Sequence, residues 1–119
     1  MHNCSEFSVF EYLYRAAGNW KAWGQLLLKG GPRANQIELF CARLESGQFF
    51  IAEQLGIPTL QQKFWAQYGG PTLDDHPWHE FAGVRLATAE EISNDSRWGT
   101  MQSLSERANS IAVWDSFCR

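Results

Sequence analysis

The stretch from Phe7 to Arg15 constrains this chain more than any other, because its side chains alternate as an extended strand requires. Phe10, Tyr12 and Tyr14 fall on one face and Val9 and Leu13 on the other, since successive strand residues point to opposite sides. Both faces are apolar, which predicts a strand buried on much of both sides. Ala16-Ala17-Gly18-Asn19 follows, and Gly and Asn tolerate the positive φ of tight turns. Residues 20–29 resume the alternation, with Trp20, Ala22, Leu26 and Leu28 on one face and Trp23 and Leu27 on the other. Two such runs joined by so short a link predict a β-hairpin.

The rest of the chain reads as helices and short strands around that hairpin. Lys29-Gly30-Gly31-Pro32 ends the extended pattern, and Ile37, Phe40, Cys41 and Leu44 form a helical stripe within residues 33–45. Gly47 is its expected left-handed stop. Phe49-Phe50-Ile51 opens a third strand that should end near Glu53, and Gly56-Ile57-Pro58 marks a loop. Helical turns over residues 60–68 carry Phe64, Trp65 and Tyr68. A turn-rich loop over residues 69–77 leads into a fourth strand over residues 78–87. Thr88 and Glu91 have capping-box spacing for a short helix ending near Asn94, and Ser103 and Glu106 repeat the device for a longer one carrying Leu104, Ala108, Ile111 and Ala112. The sum is an α+β fold, a small antiparallel sheet of about four strands with helices packed on one face.

Composition narrows the function classes. A length of 119 residues fits a single domain over residues 1–119. Six tryptophans beside eight phenylalanines and three tyrosines can build a small core, and one or two of them can line a binding surface. A net charge of −3 argues against binding to a nucleic-acid backbone. Residues 1–33 are mildly basic, with Arg15, Lys21, Lys29 and Arg33 against Glu6 and Glu11. Cys4, Cys41 and Cys118 are far apart and form no C-x-x-C, and these residues hold no signal-peptide-like hydrophobic run and no apolar stretch long enough to cross a bilayer, so the expectation is a cytoplasmic protein with reduced thiols. Cys41 reads as helix packing.

Three constellations are candidates for chemistry. The densest is Asp74-Asp75-His76-Pro77-Trp78-His79-Glu80-Phe81. His76 and His79 would share a side of a helix, but Pro77 and the strand that follows disfavour that geometry, so no metal site is expected. Asp74 and Asp75 read as a turn, and His79 and Glu80 as neighbours on opposite strand faces. A His79–Glu80 or His76–Asp75 pair could do acid/base work, yet no Gly-x-Ser-x-Gly elbow accompanies them. The second constellation is the hairpin turn, where Arg15, Asn19 and Lys21 could present donors to an anion beside Trp20 or Trp23 as a stacking platform; the plainer alternative is a turn whose tryptophans fill the core. The third is Glu53 and Gln54 beside a rigid turn. Trp78 completes the binding candidates as an aromatic anchor.

The order Tyr12-Leu13-Tyr14-Arg15, Gly18-Asn19, Lys21-x-Trp23-Gly24, Phe49-Phe50-Ile51-x-Glu53-Gln54-Leu55-Gly56-Ile57-Pro58 and Asp75-x-x-Trp78-His79-Glu80-Phe81 resembles a family of small bacterial proteins of unknown function. The resemblance covers residues 10–86 and departs from the family's pattern at Ala16, where an Asp is usual, and at Ala52, where a Pro is usual. It implies a bacterial or phage cytoplasmic origin and carries over no catalytic residues. The leading expectation is therefore a cofactor-free interaction module that binds another protein, or a homodimer formed through a free sheet edge. The rival is a small enzyme or ligand-binding protein in which His76, His79, Glu80 and Glu53 meet Arg15 in one pocket.

Overall fold

In a computed structural model, which describes residues 6–16, 20–70, 76–94, 97–111 and 113–114, the hairpin lies within a five-stranded sheet. Strands β1 (Phe7–Arg15) and β2 (Lys21–Lys29) pair antiparallel, from Phe7 opposite Lys29 to Arg15 opposite Lys21. On the other side of β1 runs β4 (Trp78–Leu86), antiparallel, with a register shift between Glu11 and Tyr12. Short strands flank these: β3 (Phe49–Ile51) on β4, and β5 (Arg97–Thr100) on β2, giving the order β3-β4-β1-β2-β5.

The sheet is mixed, which corrects the expectation of about four antiparallel strands. β5 runs parallel to β2 and meets it only at Leu27, Leu28 and Lys29. Four residues including Gly99 are too short to display alternation, and the pairing partner lies far away in sequence, so no local signal marks the strand. Helix α2 (Ala52–Leu55) takes the place of the expected continuation of β3 to Glu53. Ala52 and Leu55 are both fully buried, and Gly56, in the left-handed region at φ 75°, stops the turn.

Helix α1 (Ala34–Cys41) ends earlier than its stripe, and Leu44 reaches the core from the turn after it. Helix α3 (Gln61–Tyr68) buries Phe64. Helix α4 (Ala89–Asn94) starts with the expected capping box: Glu91 N–H donates to Thr88 Oγ1 and Thr88 N–H to Glu91. Helix α5 (Met101–Ser110) starts one turn before the Ser103–Glu106 box assigned to it from sequence. Its cap is Thr100, whose Oγ1 accepts from Ser103 N–H at 3.0 Å, while Ser103 Oγ accepts from Thr100 N–H at 3.2 Å. Met101 extends the apolar stripe of Leu104 and Ala108 upstream, and burial of all three decides where the helix begins.

The main core lies on the face of Phe10, Tyr12 and Tyr14, closed by Phe40, Phe50, Leu55, Phe64 and Leu104. At Gly24 a Cβ would stand 2.6 Å from Leu60 Cδ2, so a larger residue would push the Leu60 side chain aside where the residues before α3 lie close to β2. The opposite face is not bare, another departure from helices on one side only. Phe7, Val9 and Leu27 form a second, smaller cluster there with Ala87 and with Ile92 of α4.

Candidate functional site

The histidine-rich segment resolves into a structural clasp. His79 is 1% exposed and sits on the core face against Tyr12, Tyr14 and Phe50. Its Nδ1 donates to the Pro77 carbonyl at 3.0 Å, and its Nε2 accepts from Leu60 N–H at 3.0 Å. That pattern is met by the neutral ring, and desolvation pushes the pKa down to about 4. His76 is likewise engaged at both nitrogens: Nε2 donates to the Arg15 carbonyl at 2.8 Å and Nδ1 accepts from Trp78 N–H at 3.1 Å. Gln61 Nε2 donates to the His76 carbonyl, so the start of α3 is tied to the start of β4 through both histidines.

Glu80 faces the other side of the sheet, as strand alternation requires, and there it meets Arg15. The pair is bidentate, with Nε to Oε2 at 2.7 Å and Nη2 to Oε1 at 3.2 Å. This hydrogen bonding raises the Arg15 pKa. Farther along the same face Arg85 bridges Glu11 and Glu91, and its hydrogen bonds hold the Glu91 carboxyl down to about 2.

The sequence candidates therefore divide. Arg15 joins Glu80, and the backbone of Arg15 joins His76, but Glu53 lies exposed on α2 rather than in a shared pocket with them. Gln54 donates to the Val113 carbonyl at 3.3 Å. Trp78 is partly buried against Trp114, with ring centroids 6.4 Å apart. Asn19, Asp74, Asp75, Cys4 and Cys118 lie outside the described residues. Cys41 packs against the main core, and burial pushes its thiol up. Among the described residues, no group of three or more His, Cys, Asp or Glu converges as metal ligands would, and no helix is long and apolar enough to cross a membrane.

Trp20, Lys21 and Trp23, by contrast, come together at one surface groove of about 520 Å³ between β2 and α3. The groove is completed by Lys63, Gln67 and Tyr68 of α3. Trp20 is 57% exposed, Trp23 50% and Tyr68 42%, so these rings do not fill the core. Trp20 and Tyr68 lie with ring centroids 5.1 Å apart, and Lys63 Nζ donates to the Trp23 carbonyl. Sequence reasoning missed the α3 half. Its signal was the i, i+4 spacing of Lys63 and Gln67, which shares a helix face but cannot say which strand that face meets. A larger groove of about 710 Å³ between α1 and α5 has one exposed apolar anchor, Leu39, and none of the sequence candidates. No family model, curated protein or solved structure matches this chain.

Proposed function

We propose that this chain is a non-enzymatic interaction module that holds another protein, or a second copy of itself, at the groove between β2 and α3. The observation that carries the reading is the half-exposure of Trp20, Trp23 and Tyr68 around one concave surface. Trp and Tyr are the side chains that most often anchor protein interfaces, because their large rings lose little conformational freedom on burial. Three of them round one groove is a stronger signal than single exposed hydrophobics, which are ordinary on any surface. The groove needs no cofactor for this role. A setting in the bacterial cytoplasm rests on the motif resemblance and on the unpaired Cys41.

The rival enzymatic reading loses support from the same geometry. A general acid or base needs a free ring position and a pKa near the working pH. His79 has both nitrogens engaged in the interior, His76 has both bonded to backbone, and Glu80 is held by Arg15. Two measurements test the interaction reading: sedimentation velocity across protein concentration, and affinity capture from bacterial lysate. Wild type and a W20A/W23A/Y68A variant are compared in both. Self-association or a captured protein should weaken at least about tenfold in the variant, the loss typical of removing interface anchors. Identical behaviour of the two proteins, or no association of the wild type in either assay, would overturn the reading.

A further inference from the structure

Resting on that interaction reading and deepening it, we propose that the groove takes its partner by strand addition: an extended acidic peptide segment pairs with the main chain of β2 from Lys21 to Trp23. The direction of the backbone groups comes first. The Trp20 carbonyl accepts from Ala16 N–H at 2.9 Å, and Gly30 N–H donates to the Glu6 carbonyl at 2.8 Å. Trp20 and Gly30 therefore turn their main chain toward the β1 side. With a strand period of two, Lys21 and Trp23 turn theirs away from it. The Trp23 carbonyl shows this directly, because it accepts from Lys63 on α3, outside the hairpin.

That outward side is covered by β5 only at Leu27, Leu28 and Lys29, and among the described residues no strand pairs with this side of β2 before Leu27. The outward main chain of Lys21 and Trp23 is the kind of row onto which an extended segment adds. The aromatic rings suit the same occupant. Trp23 lies opposite Leu13 on one face of the edge, while Trp20 stacks with Tyr68 of α3 on the other. An added strand points its side chains alternately to both faces, so its successive residues meet one aromatic wall and then the other.

Charge selects among extended segments. Lys21 and Lys63 line the groove, no acidic residue does, and the chain as a whole carries −3. Lysines on an open edge oppose pairing with another lysine-bearing edge, which disfavours a second copy and favours a segment bearing Asp or Glu. Lys63 need not leave when the peptide arrives, because a carbonyl has two lone pairs and can serve both donors.

The probe is an acetylated, amidated peptide of alternating glutamate and valine, about eight residues long, added to the full chain and followed by amide hydrogen exchange and by fluorescence of the groove tryptophans. Saturable binding should slow exchange at Lys21 and Trp23 by at least about tenfold while Ala22, already turned toward β1, changes little. A control peptide that alternates glutamate with proline carries the same charge without half the N–H groups, and should bind at least about tenfold more weakly. K21E should weaken the glutamate–valine peptide and leave the fold intact. Binding that perturbs the tryptophans without protecting either amide overturns strand addition but leaves the interaction module standing. Protection that grows with protein concentration in the absence of peptide assigns the edge to a second copy and overturns the acidic occupant. No saturable binding up to about 1 mM, the weak limit of useful recognition, also overturns the proposal, and the capture experiment with W20A/W23A/Y68A then decides the broader reading separately.

Discussion

The start of β4 and the start of β2 teach opposite lessons about where function can lie. Residues 76–80 hold two histidines and a carboxylate in five positions, and their polar groups are used up inside the molecule. Residues 20–23 hold one lysine, one alanine and two tryptophans, and there the main chain of Lys21 and Trp23 and both tryptophan rings face outward. A residue type capable of chemistry becomes structural once neighbours satisfy each of its bonding positions. A plain strand becomes a candidate site when its neighbours stop short of covering it.

The largest effect expected of that difference is on stability at His79. H79A removes a ring packed among Tyr12, Tyr14 and Phe50 and leaves Leu60 N–H and the Pro77 carbonyl without their partner. A loss of about 3–5 kcal/mol is expected, read as a fall in the denaturant midpoint at constant m. A loss near zero would break the contrast at once, by making His79 as dispensable as a surface group.

The pH dependence should come next. His79 titrates at about 4 in the folded chain against 6.5 when unfolded, so between those values the unfolded state binds the extra proton. Stability is then fully present above about pH 6.5 and falls as pH drops toward 4, by about 2–4 kcal/mol in total. Denaturation curves across that window check it. The depressed Glu91 pKa acts lower, since its contribution is lost only as pH falls from 4.5 toward about 2. An NMR titration showing His79 protonated at about pH 6 would contradict its assignment to the interior.

Smaller changes sharpen the comparison. T100A removes the hydroxyl that caps α5 and should cost about 1 kcal/mol, whereas the equivalent change at Ser105, which caps nothing, should cost less. E80Q weakens a pair whose side chains are 36% and 18% exposed, and solvent screening limits the loss to about 0.5–1 kcal/mol. W20A should be the mildest to the fold, below about 1 kcal/mol, because most of the ring already faces water. Its effect should appear instead as lost partner capture. If W20A destabilised the chain as strongly as H79A, the β2 groove would be core rather than surface.

Much of the fold was legible in the residues alone. β1 and β2 follow from alternation that a strand needs along its own length, β4 was placed after the turn-rich loop, and the Thr88–Glu91 cap follows from two side chains three residues apart. The opposite facing of His79 and Glu80 also followed from period two. Each of these is a local relation, decided within a few residues of chain. The candidate site was legible only in half, since Trp20, Lys21 and Trp23 were named from the turn while the α3 residues Lys63, Gln67 and Tyr68 were not.

Tertiary structure decided the rest. Ala52 and Leu55 form a helical turn that places both side chains in the main core, and the cap of α5 moved to Thr100, which brings Met101 into the buried stripe. Whether His79 was a catalyst or a clasp depended on the Leu60 N–H, nineteen residues away in sequence. Whether Trp20 and Trp23 were core or surface depended on how much of each ring distant segments cover, which leaves them 57% and 50% exposed. Burial and hydrogen-bond satisfaction are set by what distant segments bring to a position, and no periodicity in the position's own neighbourhood records it.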